Sequence, residues 1–231
     1  MCGRYAINQT GGDLAATYVV DWLGEPPTLP RYNIAPQTDA PVLRTRRDGT
    51  RVLQSFRWGL IPYWAKDPRI AAKLVNARVE TAATSSAFRA ALERRRCIVP
   101  SSGFYEWTGD RKNRLPHWLY PEDGILSMAG VWESWRPAPG EAPVLTFAIL
   151  TTAANPDVER LHDRMPVIVP AEARETWLDP DSPPEAYTAL LQPAPAGTLC
   201  SHPVSTAVNR ADVDGPELLA EVADESPWLL F

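Results

Sequence analysis

Short runs of apolar, β-branched and aromatic residues recur at 41–46, 51–58, 97–105, 125–132, 144–151 and 166–169, and they predict β-strands. Between and after them, apolar positions repeat at helical spacing. Thr84, Ser85 and Ser86 offer caps for a helix over 87–95, whose Phe88, Ala91 and Leu92 share one face. Further helices are expected over 12–21, 171–178, 184–191 and 216–222. Proline clusters at 25–30, 135–143, 179–184 and 192–196 read as loops, and 31–36 as a rigid loop. Strands and helices do not alternate as they do in doubly wound folds. The pattern therefore predicts an α+β protein with a mixed or antiparallel, barrel-like β core and peripheral helices, in one domain over 1–231.

Composition narrows the class. With 231 residues, 45% hydrophobic and 22% charged, the chain has the balance of a soluble globular protein. No secretory signal pattern opens it and no apolar run nears the roughly 18 residues of a membrane span, so a cytoplasmic location is expected. Three cysteines, Cys2, Cys97 and Cys200, lack the number and spacing of a disulfide framework or a zinc site. Cys97 and Cys200 read as small core residues, and no metal is expected. The absence of a glycine-rich phosphate loop argues against a nucleotide cofactor, and no cofactor is expected. The net charge of −5 hides an asymmetry: residues 1–120 hold 18 basic and 10 acidic side chains, residues 121–231 hold 5 and 18. Arginine makes up 20 of the 23 basic residues. A GC-rich coding bias bears on that ratio but not on the asymmetry, which points to a basic face suited to phosphate.

Four segments carry reactive groups. Cys2 follows Met1 directly, and removal of Met1 would leave an amine and a thiol on adjacent carbons. Their reference pKa values, about 7.7–8.0 and about 8.5, make both nucleophilic forms reachable near neutral pH. The pair can condense with an aldehyde to a thiazolidine, or the thiol can attack a carbonyl with the amine as base. Asn76 and Arg78 stand two apart; the alternative there is a helix cap beside a surface arginine. Glu106 lies among aromatics, where desolvation would hold it partly protonated for proton shuttling; the alternative is a strand residue facing water. His162, beside Asp163 and Arg164, has the proton affinity for acid–base work, whereas His117 and His202 read as structural hydrogen-bonders. The stretch 57–66 sets Trp58, Tyr63 and Trp64 beside Arg57 and Lys66, which suits base stacking with phosphate contacts but also a plain core.

Taken together, the strings MCGRYA, RYNIAPQT, RWGLIPYWAKD, NARVETAATS, CIVPSSGFYEW, LTTAANPDVERLHDRMPVIV and HPVSTAVN resemble, in this order, the SRAP (SOS-response-associated peptidase) family, from residue 1 to about 209. The resemblance implies an SRAP-like domain that crosslinks itself to abasic sites in single-stranded DNA or at single-strand/duplex junctions during the DNA damage (SOS) response. It implies that Cys2 is the nucleophile, that Asn76 positions the sugar and the N-terminus, and that Glu106 shuttles protons during imine formation. His162 is implied in opening the sugar ring and in slow reversal. Arg4, Arg78 and Arg164 fall on phosphate-binding positions, Thr151 on a polar contact to the lesion, and Pro36 and Trp64 on positions that stack on bases or wedge the strand. A bacterial member carries Arg-Met after the AATS string, where this chain has Ser86 and Ala87, and Tyr63 replaces a Trp. Two other readings stay open: an N-terminal-cysteine peptidase or amidohydrolase, and a non-covalent module that binds single-stranded DNA. A monomer without membrane attachment, nucleoid-associated when bound to DNA, is expected.

Overall fold

The computed structural model describes residues 2–109 and 113–223. Among them the strands are β1 (Tyr5–Ile7), β2 (Asp21–Trp22), β3 (Arg31–Ile34), β4 (Asp39–Thr45), β5 (Arg51–Trp58), β6 (Asn76–Arg78), β7 (Arg96–Ser101), β8 (Gly103–Thr108), β9 (Leu115–Tyr120), β10 (Leu126–Trp135), β11 (Val144–Ala153), β12 (Arg164–Pro166) and β13 (Cys200–Pro203). The α-helices are α1 (Gly11–Tyr18), α2 (Val79–Ala82), α3 (Arg89–Arg94), α4 (Arg174–Leu178) and α5 (Pro184–Thr188).

The α+β expectation holds, and the barrel is literal. Strands β5, β4, β7, β10 and β11 pair in sequence, and β11 then returns to β5 in parallel, which closes a five-stranded mixed barrel. Closure removes exposed edges and lets side chains fill the inside. Leu43, Phe56, Ile98, Met128 and Ile149, one from each barrel strand, belong to a single buried core. All six residues of β7 are buried, so its sequence shows no polar alternation. A second, antiparallel sheet runs β13-β9-β8-β1-β3. A smaller core including Ala6, Tyr105, Trp118 and Val204 packs on it.

The run expected over 97–105 is two strands in two sheets. Ser101 Oγ donates to Gly103 O (2.6 Å) and accepts from Gly103 N (3.1 Å), which bends the chain between β7 and β8. Gly103 is required there: a Cβ would lie 2.4 Å from Leu119 O. The 31–36 loop is instead strand β3 running into a turn, since Arg31–Ile34 pair with β1. Helices come out shorter than expected. The 87–95 helix is α3, and Ser85 caps the turn before it through Ala87 N rather than the helix itself. Residues 171–173 and 216–219 are 3-10 turns. Cys97 is buried, but Cys200 is exposed on the edge strand β13 and is not a core residue.

Arg96 fastens the outer helices to the barrel. Its guanidinium donates to Leu92 O and Glu93 O on α3, to Trp177 O on α4 and to Asp179 O, and it lies over the Tyr187 ring at 4.1 Å. No described helix is long and apolar enough to cross a membrane.

Candidate active site

Strand β1 lies between β3 and β8, so the start of the chain is held inside the sheet. Tyr5 pairs with Phe104 and Ala6 with Gly103, and Tyr105 N donates to Arg4 O at 2.9 Å. That register, continued, sets Glu106 opposite Gly3. Strand alternation sends Tyr105 to the smaller core and Glu106 to the opposite face. Both Cys2 and Glu106 are buried as a result, at 0% and 2% exposure. Burial pushes the Cys2 thiol well above its ordinary value, so it rests as S–H. Asn76 Nδ2 donates to Cys2 O at 2.8 Å. Asn76 is not a helix cap: it sits on β6, parallel to Ile149 of β11.

Glu106 opens onto a cleft of about 790 Å³ whose lining includes Gly3, Arg4, Trp107, Arg114 and His162. Burial pushes its carboxyl up to about 7, the value at which one group gives and takes protons at neutral pH. The reading of Glu106 as a strand residue facing water does not hold. His162 ends the turn before β12. Arg164 N donates to His162 Nδ1 at 2.9 Å, which leaves the proton of the neutral ring on Nε2. Burial lowers its pKa, although Asp163 Oδ1 stands 2.9 Å from Nδ1. Asp163 is largely exposed and its field is screened, so burial prevails. His117 and His202 both have hydrogen-bond partners: Thr108 Oγ1 lies 3.3 Å from His117 Nε2, and His202 Nε2 donates to Leu219 O at 2.9 Å.

The arginines occupy unlike seats. Arg4 Nη1 donates to Asn33 Oδ1 (2.6 Å) and Val208 O (2.9 Å). Arg78 is exposed at the N-cap of α2. Arg164 is 9% exposed; its Nη atoms grip both oxygens of Glu80 at 2.5 and 2.9 Å, and Nη2 also donates to Thr151 O. Thr151 is fully buried on β11, between Arg78 of β6 and Pro166 of β12. Arg4 Nε, Asn76 Oδ1, Thr151 Oγ1 and Arg164 Nε are buried without a hydrogen-bond partner. Trp64 stands apart: it is 45% exposed, donates to Ser86 O at 3.1 Å, and lines a second hollow of about 740 Å³ with Lys66, Arg69 and Lys73. Pro36, half-buried in the turn after β3, lines neither hollow.

Sequence reasoning passed over Glu80, Asn33, Trp107 and Asn209, although each lies within a quoted string. Their signal was polarity inside apolar segments: Asn33 Nδ2 donates to Arg210 O and Val213 O, and Trp107 Nε1 donates to Asn209 Oδ1 at 2.6 Å. Arg114 follows residues outside the described set and carried no motif. No group of three or more described His, Cys, Asp and Glu side chains is arranged to hold a metal.

The family model described as "SOS response associated peptidase (SRAP)" matches residues 1–211. "Abasic site processing protein YoqW" of Bacillus subtilis (strain 168) is 38% identical, over 95% of this chain and 99% of its own. "Abasic site processing protein HMCES" of Gallus gallus is 35% identical, over 96% of this chain and 78% of its own. A crystal structure of a Bacteroides thetaiotaomicron protein superposes with a TM-score of 0.84 at 26% identity, covering 96% of this chain and all of that one.

Proposed function

The chain belongs to the SOS response associated peptidase (SRAP) family, and from that membership we propose that it processes abasic sites in DNA, capturing them covalently through Cys2. The observation that carries this reading is the Cys2 backbone held by Asn76 beside a cleft lined by Glu106 and His162. Removal of Met1 exposes the amine. His162 assists opening of the deoxyribose, which frees the C1′ aldehyde. The Cys2 amine adds to that carbon, and Glu106 supplies the proton with which the hydroxyl leaves as water, giving an imine. The thiol sulfur then bonds to the same carbon while its proton passes to nitrogen, closing a thiazolidine. The net change is aldehyde plus aminothiol to thiazolidine plus water. Burial favours the protonated thiol, which supports the amine as the first nucleophile.

Single-stranded DNA and its junctions with duplex are the proposed substrates, because the lesion must leave the base stack to reach Cys2. Arg78 supplies an exposed phosphate contact, and Arg4 and Arg164 offer their free Nε–H groups to the lesion. Thr151 Oγ1 and Asn76 Oδ1 are further unpaired groups for the sugar. Trp64 and Pro36 serve the flanking bases. Residues 1–231 act as one domain and as a monomer, in the cytoplasm and on the nucleoid.

The test is incubation with a single-stranded oligonucleotide bearing one abasic site, read by denaturing electrophoresis and intact mass, with Cys2→Ala in parallel. An adduct mapped to Cys2 and absent from the variant supports the reading. No adduct from protein shown to lack Met1 overturns it.

A further inference from the structure

The Glu80–Arg164 pair joins the two halves of the site. Glu80 lies in the first turn of α2, four residues after Asn76, which holds Cys2. Arg164 opens β12, two residues after His162. Its side chain is fixed at three points, two on Glu80 and one on Thr151 O, while its backbone amide donates to His162 Nδ1. A forked guanidinium on a carboxylate is directional, and at 9% exposure Arg164 has little water to exchange it for. The peptide that carries the amide is held on its carbonyl side by Ala154 N, which donates to Asp163 O at 3.0 Å, and the fixed side chain restrains its Arg164 end.

We propose that Glu80 is a positioning residue for His162: by gripping Arg164 it keeps the Arg164 amide on Nδ1, which holds the ring in the cleft with its proton on Nε2. Two of the three fixing points come from α2, more than 80 residues earlier in the chain, and the third is Thr151 O of β11. The charged and titratable groups around the ring are the N-terminal amine, whose charge lowers the ring's affinity for a proton, Asp163 and Arg164 on its own segment, Glu106 from β8, Arg4 before β1 and Arg114 before β9. Asp163 is the competitor, because its Oδ1 reaches the same Nδ1. Once the amide swings away, Asp163 draws a proton onto Nδ1 and the ring titrates higher. The placement of the ring stands independently of the abasic-site reading; only its effect on crosslinking rate rests on that reading.

The experiment is long-range ¹H–¹⁵N NMR of the His162 ring in the full chain without DNA, titrated with pH, for wild type, Glu80→Gln and Arg164→Lys. Wild type is expected as the Nε2–H tautomer with a midpoint below about 6.5. Both variants are expected to populate Nδ1–H and to titrate about half a unit or more higher, with Glu80→Asp restoring much of the wild-type pattern. Arg164→Lys keeps the charge but loses the fork, so it serves if Glu80→Gln misfolds. An unchanged tautomer and midpoint in either folded variant overturns the proposal. A parallel pH–rate profile of adduct formation is expected to shift upward with the ring. Failure of wild type to form any adduct would remove the functional reading, while the NMR titration would still decide the role of Glu80.

Discussion

Around Arg96 and around Arg164 the same side chain is buried to nearly the same depth, 3% and 9% exposed, yet the surroundings differ. Arg96 meets four backbone carbonyls and an aromatic face, with no carboxylate among its hydrogen-bond partners. Those carbonyls belong to the ends of helices that would otherwise lack donors, so charge and helix termini satisfy each other. Arg164 is held by a half-exposed carboxylate, and polar atoms near it, including its own Nε, are left without partners. An unpaired buried polar atom costs about 1–3 kcal/mol. In the proposed function, an arriving lesion would satisfy them. The first region spends its polar groups on the fold and the second keeps them in reserve.

That contrast predicts a double dissociation. The largest expected effect is Cys2→Ala, which should abolish the adduct altogether while costing the fold no more than about 2 kcal/mol, as urea unfolding would measure. Arg96→Ala should do the reverse. Stripping four carbonyls of their donor is expected to cost about 3–5 kcal/mol of unfolding free energy in a urea titration, with crosslinking intact wherever the protein remains folded. Loss of crosslinking in folded Arg96→Ala would break the contrast.

Glu106→Gln sharpens it, since one residue then reads out both properties. Loss of the proton shuttle should slow adduct formation about 10²-fold or more in single-turnover gels. The folded-state value of Glu106, about 7, lies above the ordinary 4.5. The stabilising protonated form is therefore fully present below pH 4.5 and is lost as pH rises through about 7. Wild type should lose on the order of 3 kcal/mol over that window from this group, and the Gln variant should not. Parallel urea midpoints from pH 4 to 8 would settle it. The smallest effect belongs to Arg78, exposed and outside both buried regions. Arg78→Ala should weaken binding to intact single strands severalfold, lower the salt slope by about one, and leave stability within about 0.5 kcal/mol. An unchanged slope in a salt titration would remove it from the phosphate contacts.

Much of the barrel was legible because β4, β5 and β11 show apolar runs bounded by turn residues. The second sheet was harder to see. β1 and β13 are too short to carry a pattern, and β9 is broken by Pro116 and His117. The end of β10 was missed because Glu133 looks solvent-facing, yet Arg95 pairs with it at 2.8 Å and it lies 5% exposed. In the site, Cys2, Glu106 and His162 announced themselves by chemistry and by resemblance. Glu80 did not, since an acidic residue at a helix start is ordinary until tertiary structure brings Arg164 to it.

The position of β1 has a consequence in time. Its partner β8 is encoded about a hundred residues later, and the turn bearing His162 later still. At roughly 5–20 residues per second, a ribosome takes several seconds to make β8 and longer to release it. During that interval the first residues hang free; once β8 zips against β1, Cys2 is buried beside the cleft. Trimming of Met1, which the proposed chemistry requires, therefore has its widest opening on the nascent chain, before β8 is made.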